Sequence, residues 1–387
     1  MYHAAGLNFA DSAGHIFAAA FIFFLGAFAA LIQYRIFRVP QRLAVGLYLW
    51  HTIFCLFFLF YSKSVAVDAS GYFIASQNFS GTFEPGTPAI VLLTALFSRG
   101  LNLSYGGVFL VFNIIGFIGM LALASVIVEL TRSASRTVRT LALIFLFLPG
   151  LSLWSAAIGK DALTFLGVCL ACWASMDLVK RFPSMGLAII FIALPRPHIA
   201  AVMLIALSMA VLFSGRVPMR MRVFFVLTIV PAASFGLTFA LAYLGVENVA
   251  ALQSYAYGIQ SNNTQGSLSI DVANMSIPAR MLSYLYRPSF FDGGGFLGLL
   301  ISLEGSLLFL IMMAGMCLWL KRRKSTLPRV TWWWMIIYAC SSWLILANTT
   351  ANLGIAMRHK WMFLPMILII CFSYIGAPVV RKERPLN

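Results

Sequence analysis

Eleven apolar runs, separated by polar breaks, constrain this chain more than any other feature of it. They lie near residues 15–33, 43–62, 105–130, 138–155, 162–179, 184–194, 199–214, 223–245, 296–320, 330–347 and 361–379. A helix needs ~20 apolar residues to cross a bilayer, and most of these runs approach that length. Hydrophobic residues make up 61% of the chain and charged residues only 10%, against roughly 25% charged in soluble domains. The mean hydropathy is +0.92. Those values exclude a soluble globular enzyme, a disordered chain and a disulfide scaffold. The expected fold is an all-α polytopic membrane protein with about 11 transmembrane helices, residues 1–387 forming a single integral membrane domain.

The breaks sort by charge. There are 27 basic and 11 acidic residues, a net charge of +16. If successive breaks alternate sides, one set holds Arg35, Arg38, Arg42; Arg132, Arg136, Arg139; Lys180, Arg181; Arg216, Arg220, Arg222; the 321–329 cluster; and Arg381, Lys382, Arg384. That set carries the whole excess of charge. The other set balances eight bases against eight acids. The positive-inside rule makes the basic set cytoplasmic. The N-terminus is then expected outside, the C-terminus inside, and no nucleic-acid partner is needed to explain the charge. The first apolar run has no basic segment before it, so no cleavable signal peptide is expected. All six cysteines fall inside apolar runs. Cys169-x-x-Cys172 has redox or metal spacing, but an apolar helix makes packing the better reading.

Two connections are long, at 63–104 and 246–295, and both fall on the outer side. The first contains the amphipathic piece 88–97, too short to span and suited to the interface. The second carries Tyr255, Tyr257, Tyr284 and Tyr286. The segment 184–214 is too short for two full spans and is expected to form a sunken hairpin. Pro195 and Pro197 flank Arg196 there and break the helix. Irregular backbone at depth must be buried in protein or line a wet cavity, so Arg196 and His198 are expected to face an outward pocket.

Ionisable groups near a bilayer are expensive and mark functional candidates. The outward set is Asp68 with nearby Tyr72, the Lys160-Asp161 turn, Arg196 with His198, Arg287, Glu304 and Arg358. Some have blander readings. Lys160 and Asp161 can pair with each other, Glu304 can bond within the bundle, and Lys360 can snorkel to lipid headgroups. No pattern surrounds His359. As a set, several Arg and Lys with one or two carboxylates suit a phosphate or diphosphate leaving group and a base for a hydroxyl nucleophile.

The run from Asp68 through Tyr72, then Gly86-Thr-Pro88, an amphipathic helix and a long apolar span, resembles the first outer loop of the GT-C superfamily. These are membrane glycosyltransferases that use polyprenyl-linked sugars. Trp154-Ser-Ala-Ala-Ile-Gly-Lys-Asp161, Arg196-Pro-His198, Tyr286-Arg-Pro288 and Asn352-Leu-Gly-Ile-Ala-Met-Arg358 are similar to segments of bacterial exopolysaccharide and O-antigen polymerases, the Wzy and EpsG type. The resemblance covers most of residues 60–375. It implies a glycosyltransferase of the bacterial inner membrane, acting in polysaccharide assembly. It would move a glycan from a polyprenyl (di)phosphate to a sugar hydroxyl on the outer face. It implies Asp68 as the catalytic base, with Arg196, Arg287 and Arg358 holding the diphosphate. Lys160, Asp161, His198, Glu304 and Tyr72 complete the expected substrate-binding set. Ala69 follows Asp68, so the paired acid common in the superfamily is missing and no metal ligand set is assigned. Implied partners are the polyprenyl-linked sugar, the bilayer and other polysaccharide assembly proteins. The rival readings are a transporter of an anionic solute, a non-catalytic assembly subunit and, more weakly, a lipid phosphatase.

Overall fold

The computed structural model describes residues 6–212, 219–245, 258, 275–292, 295–350 and 352–377. Much of the second long loop, with Tyr255 and Tyr257, and the 381–384 basic group lie outside the described residues.

Every regular element among the described residues is helical. In order they are α1 (Ala13–Ile32), α2 (Gln41–Ser64), α3 (Asp68–Gln77), α4 (Thr87–Ala95), α5 (Tyr105–Leu130), α6 (Arg136–Phe145), α7 (Pro149–Ser155) and α8 (Lys160–Ser175). Then follow α9 (Phe182–Ala193), α10 (Pro197–Leu212), α11 (Met219–Leu244), α12 (Ile277–Tyr286), α13 (Gly295–Leu320), α14 (Arg329–Thr349), α15 (Leu353–His359) and α16 (Leu364–Ile375). Local chemistry sets several starts. The Ser104 and Ser135 hydroxyls accept from Gly107 and Val138 N–H, capping α5 and α6, as small polar side chains do at N-caps. Proline opens α7 and α10, where its missing N–H costs nothing.

Among the described residues, six helical stretches are long and apolar enough to cross a membrane: Ala13–Arg35, Gln41–Ser64, Tyr105–Leu130, Arg136–Ser155, Gly298–Leu320 and Arg329–Thr349. A seventh arises if Leu353–Met362 and Leu364–Ile375, bent by 55°, count as one. This is the architecture of a multi-pass membrane protein. The runs at 162–179 and 184–194 fold as helices of 16 and 12 residues. At 1.5 Å per residue these reach about 24 and 18 Å, short of a ~30 Å hydrocarbon core. The described part of the run at 199–214 is helical from Pro197 to Leu212. These helices satisfy their apolar surface by packing on one another: α8 lies between α5 and α9, and α10 between α11 and α14. The hairpin turn at Pro195–Pro197 is buried in protein, as irregular backbone in such a setting requires.

The long, almost wholly buried α5 is the central post. A side chain at Gly116 would collide with the Ser155 carbonyl, so glycine there lets α7 press directly on α5. The two ends of α5 define the two ends of the bundle. At its start, Tyr105 bonds the Ser62 hydroxyl at 2.8 Å. At its finish, Leu130 meets Gly376. The basic breaks gather at that second end. Phe37 stacks edge-on against Trp173, the Arg181 guanidinium lies 4.1 Å over the Trp173 ring, Thr331 donates to the Ser175 carbonyl, and Thr326 N–H donates to the Ser373 carbonyl at 3.2 Å. Thus the segments that carry Arg35–Arg42, Arg132–Arg139, Lys180–Arg181 and the 321–329 cluster share one end of the molecule.

Candidate functional site

The other end holds a cavity of about 390 Å³. Six separate segments build it. The end of α2 and the residues after it supply Phe58, Tyr61 and Val67; α3 supplies Asp68 and Tyr72; α7 and its following turn supply Trp154 and Ile158; α8 begins with Lys160 and Asp161; the hairpin turn supplies Arg196; and α15 supplies Arg358. A smaller apolar core lies beneath it, including Leu59, Tyr105, Phe109, Leu153 and Ile158.

The polar side chains form a chain of ion pairs. Arg358 Nη1 donates to Asp68 Oδ2 at 2.7 Å, and its Nε lies 3.7 Å from Asp161 Oδ2. Arg196 Nη2 donates to Asp161 Oδ1 at 2.8 Å and points at His359 Nε2 at 3.0 Å. A guanidinium only donates, so Nε2 must accept and the imidazole carries its hydrogen on Nδ1. Asp161 therefore bridges two arginines, and its adjacent Lys160 is not its partner. Burial, and then the Asp68 and Asp161 carboxylates, push the Tyr72 phenol up to about 12. It is a hydrogen-bond donor at every physiological pH. Three cations face two carboxylates here. The wall beside them is aromatic, with the Phe58 and Trp154 rings 5.9 Å apart.

The sequence sets Arg358 in place. Asn352 caps α15, its side chain accepting from Gly354 N–H at 2.8 Å and Ile355 N–H at 3.3 Å. Arg358 then falls in the last turn of that short helix, where a cation complements the carbonyl end. Gly86, at φ +97°, makes the turn that lets its N–H reach the Leu194 carbonyl at 2.7 Å. That bond ties the first long loop to the arginine-bearing hairpin.

Six of the nine expected site residues thus line one cavity: Asp68, Tyr72, Lys160, Asp161, Arg196 and Arg358. The other three do not line it. His198 stands at the start of α10, within electrostatic reach of Arg196 and Lys160. Arg287 pairs with Asp292, whose carboxyl this bond and the Ser289 hydrogen bonds hold well below the usual carboxylate range. Glu304 lies in the protein core, accepting from Gly150 N–H at 2.7 Å, with Lys360 Nζ at 3.7 Å. Lys360 is only 1% exposed, so it is a buried partner of Glu304 and not a lipid anchor.

Two features were missed from sequence. One is His359. The other is a buried network beside the cavity: His51 Nδ1 to Asn113 Oδ1 at 2.6 Å, and His51 Nε2 to Ser155 Oγ at 2.9 Å. A histidine and an asparagine inside apolar spans were the available signals. Among the described residues, no cluster of three His, Cys, Asp or Glu side chains is placed to hold a metal ion. No known protein family, curated protein or solved structure matches the chain.

Proposed function

We propose that this protein transfers a glycan from a polyprenyl (di)phosphate to a sugar hydroxyl at the Asp68 cavity. The observation that carries the reading is the Asp68–Arg358 ion pair within a cavity that has an excess of cations and an aromatic wall. A diphosphate is the stronger claimant on a guanidinium, because it offers several anionic oxygens to a planar fork of donors. As it engages Arg358, Arg196 and Lys160, the Asp68 carboxylate loses its partner and can accept the proton of the acceptor hydroxyl. The hydroxyl oxygen then bonds to the anomeric carbon. The bond from that carbon to the phosphate oxygen breaks, and its electron pair leaves with the lipid diphosphate. The arginines stabilise the charge that develops. Trp154 and Tyr72 supply faces and a hydroxyl for sugar rings.

On this reading helices α8, α9, α10 and α11 are membrane-embedded along with the six long spans and the bent pair counted as one, giving eleven segments. The basic end is cytoplasmic by the positive-inside rule. The cavity then opens on the outer face of a bacterial inner membrane, within a polysaccharide assembly system. Complementation of a deletion strain tests it, with wild type, Asp68→Asn and Arg196→Ala at matched membrane abundance. Lipid extracts are read by mass spectrometry. Accumulated lipid-linked oligosaccharide with lost polymer in both variants supports transfer. Unchanged intermediate and polymer in both refutes it and favours an anion transporter or an assembly subunit.

A further inference from the structure

At the end of α5 opposite the Asp68 cavity, two adjoining hollows of about 400 and 370 Å³ share Trp319 and Tyr374. The first is faced by Lys324, Arg329, Trp332 and Trp333, the second by Arg322 and Arg323. Residues 321–329 contain five bases and no acid. Among the described residues none of these five pairs with a carboxylate within 4.0 Å. The positive-inside rule accounts for charge at this end but not for its arrangement. The segment is fixed, not loose. Ser325 Oγ bonds Ser373 Oγ at 2.7 Å, Leu327 N–H donates to Ser325 Oγ at 3.1 Å, and Arg323 donates to the Ala377 carbonyl. Arg322 is held at φ +55°, a conformation that non-glycine residues seldom adopt.

A strip of exposed apolar side chains leads into these hollows along one side of α13. Leu303, Leu310, Met313, Met316 and Leu320 are 61, 63, 46, 51 and 66% exposed, and Trp319 is 48% exposed. At 3.6 residues per turn Leu303, Leu310, Met313, Met316 and Leu320 fall within about 140° of arc, and Trp319 sits at its edge beside Met316. Cations carried on a pinned backbone and flanked by indoles, at the foot of an apolar strip on a membrane-length helix, match one ligand shape: a phosphate head on acyl chains.

We propose that the Trp319–Arg329 region is a binding site for an anionic phospholipid, with the headgroup phosphate among Arg322, Lys324 and Arg329 and the acyl chains along α13. The site lies away from the Asp68 cavity and does not depend on the glycan-transfer reading.

Native mass spectrometry of the full chain released from detergent tests it, with phosphatidylglycerol, phosphatidylcholine and inorganic phosphate as probes. Wild type should retain one phosphatidylglycerol in preference to phosphatidylcholine, and millimolar phosphate should not displace it. Arg322→Gln/Lys324→Gln/Arg329→Gln should weaken retention by about 10-fold or more, as cations at a membrane surface attract anionic lipid. Arg35→Gln/Arg38→Gln/Arg42→Gln, at the same end of the bundle, should keep it. Trp319→Leu leaves the charges in place and should weaken it several-fold, which keeps the test open if the triple variant does not fold. Equal retention of the two lipids, equal loss in both triple variants, or displacement by phosphate alone overturns the proposal.

Discussion

Replacing Asp68 by Asn should tighten the binding of a diphosphate while abolishing transfer. In the resting site Arg358 spends one N–H on Asp68 at 2.7 Å, with the two side chains 27 and 54% exposed. Ion pairs of that exposure are worth roughly 0.2–1 kcal/mol. An incoming diphosphate must displace the carboxylate, so this energy is subtracted from its affinity. Asparagine is nearly isosteric and neutral. It bonds the guanidinium more weakly and does not repel the ligand. Freeing up to about 1 kcal/mol corresponds to up to about 5-fold tighter binding. Titration calorimetry with a short-chain isoprenyl diphosphate at physiological salt measures it. Weaker binding in Asp68→Asn would show that the carboxylate helps hold the ligand. That result would refute the displacement of Asp68 from Arg358 by the diphosphate.

Other outcomes follow from the same geometry. Asp161→Asn and Arg196→Leu should each destabilise the fold by about 2–3 kcal/mol, since each strands a largely buried charge. The double variant should recover about 2 kcal/mol relative to their sum, and additivity within about 0.5 kcal/mol in thermal unfolding would deny the pair. Glu304→Ala leaves Lys360 buried and unpaired and should cost about 3–5 kcal/mol, whereas Glu304→Leu/Lys360→Met should unfold close to wild type. Gly150→Ala would put a methyl carbon 2.5 Å from Glu304 Oε1. It should lower stability by about 1–3 kcal/mol, and an unchanged melting temperature would contradict that contact.

Much of this was legible before any coordinates, because the bilayer simplifies the problem. Apolar runs give helices, and basic breaks cluster at one end. Proline on both sides of Arg196 gives a buried turn with an arginine in it. Each of these is a local signal. What failed is non-local. The sequence does not separate full spans from short embedded helices, because an apolar run packed against protein, such as α8, reads like one that faces lipid. The partner of Lys360 is 56 positions away on α13, and sequence spacing does not show that the two meet in the core. His359 looked incidental because its partner, Arg196, lies 163 positions earlier. Arg287 was grouped with the other outer arginines by the family resemblance and its outward charge, but Asp292, five residues on, claims it first.

The central claim is that the Asp68 cavity moves a glycan from a lipid phosphate to a hydroxyl. The most direct measurement incubates the purified protein in lipid nanodiscs with a polyprenyl diphosphate oligosaccharide and follows free lipid diphosphate and extended glycan together. Release of one diphosphate for each new linkage, lost in Asp68→Asn and in Arg358→Ala, is the predicted result. Intact lipid-linked donor after prolonged incubation with folded wild-type protein that binds it would contradict the claim.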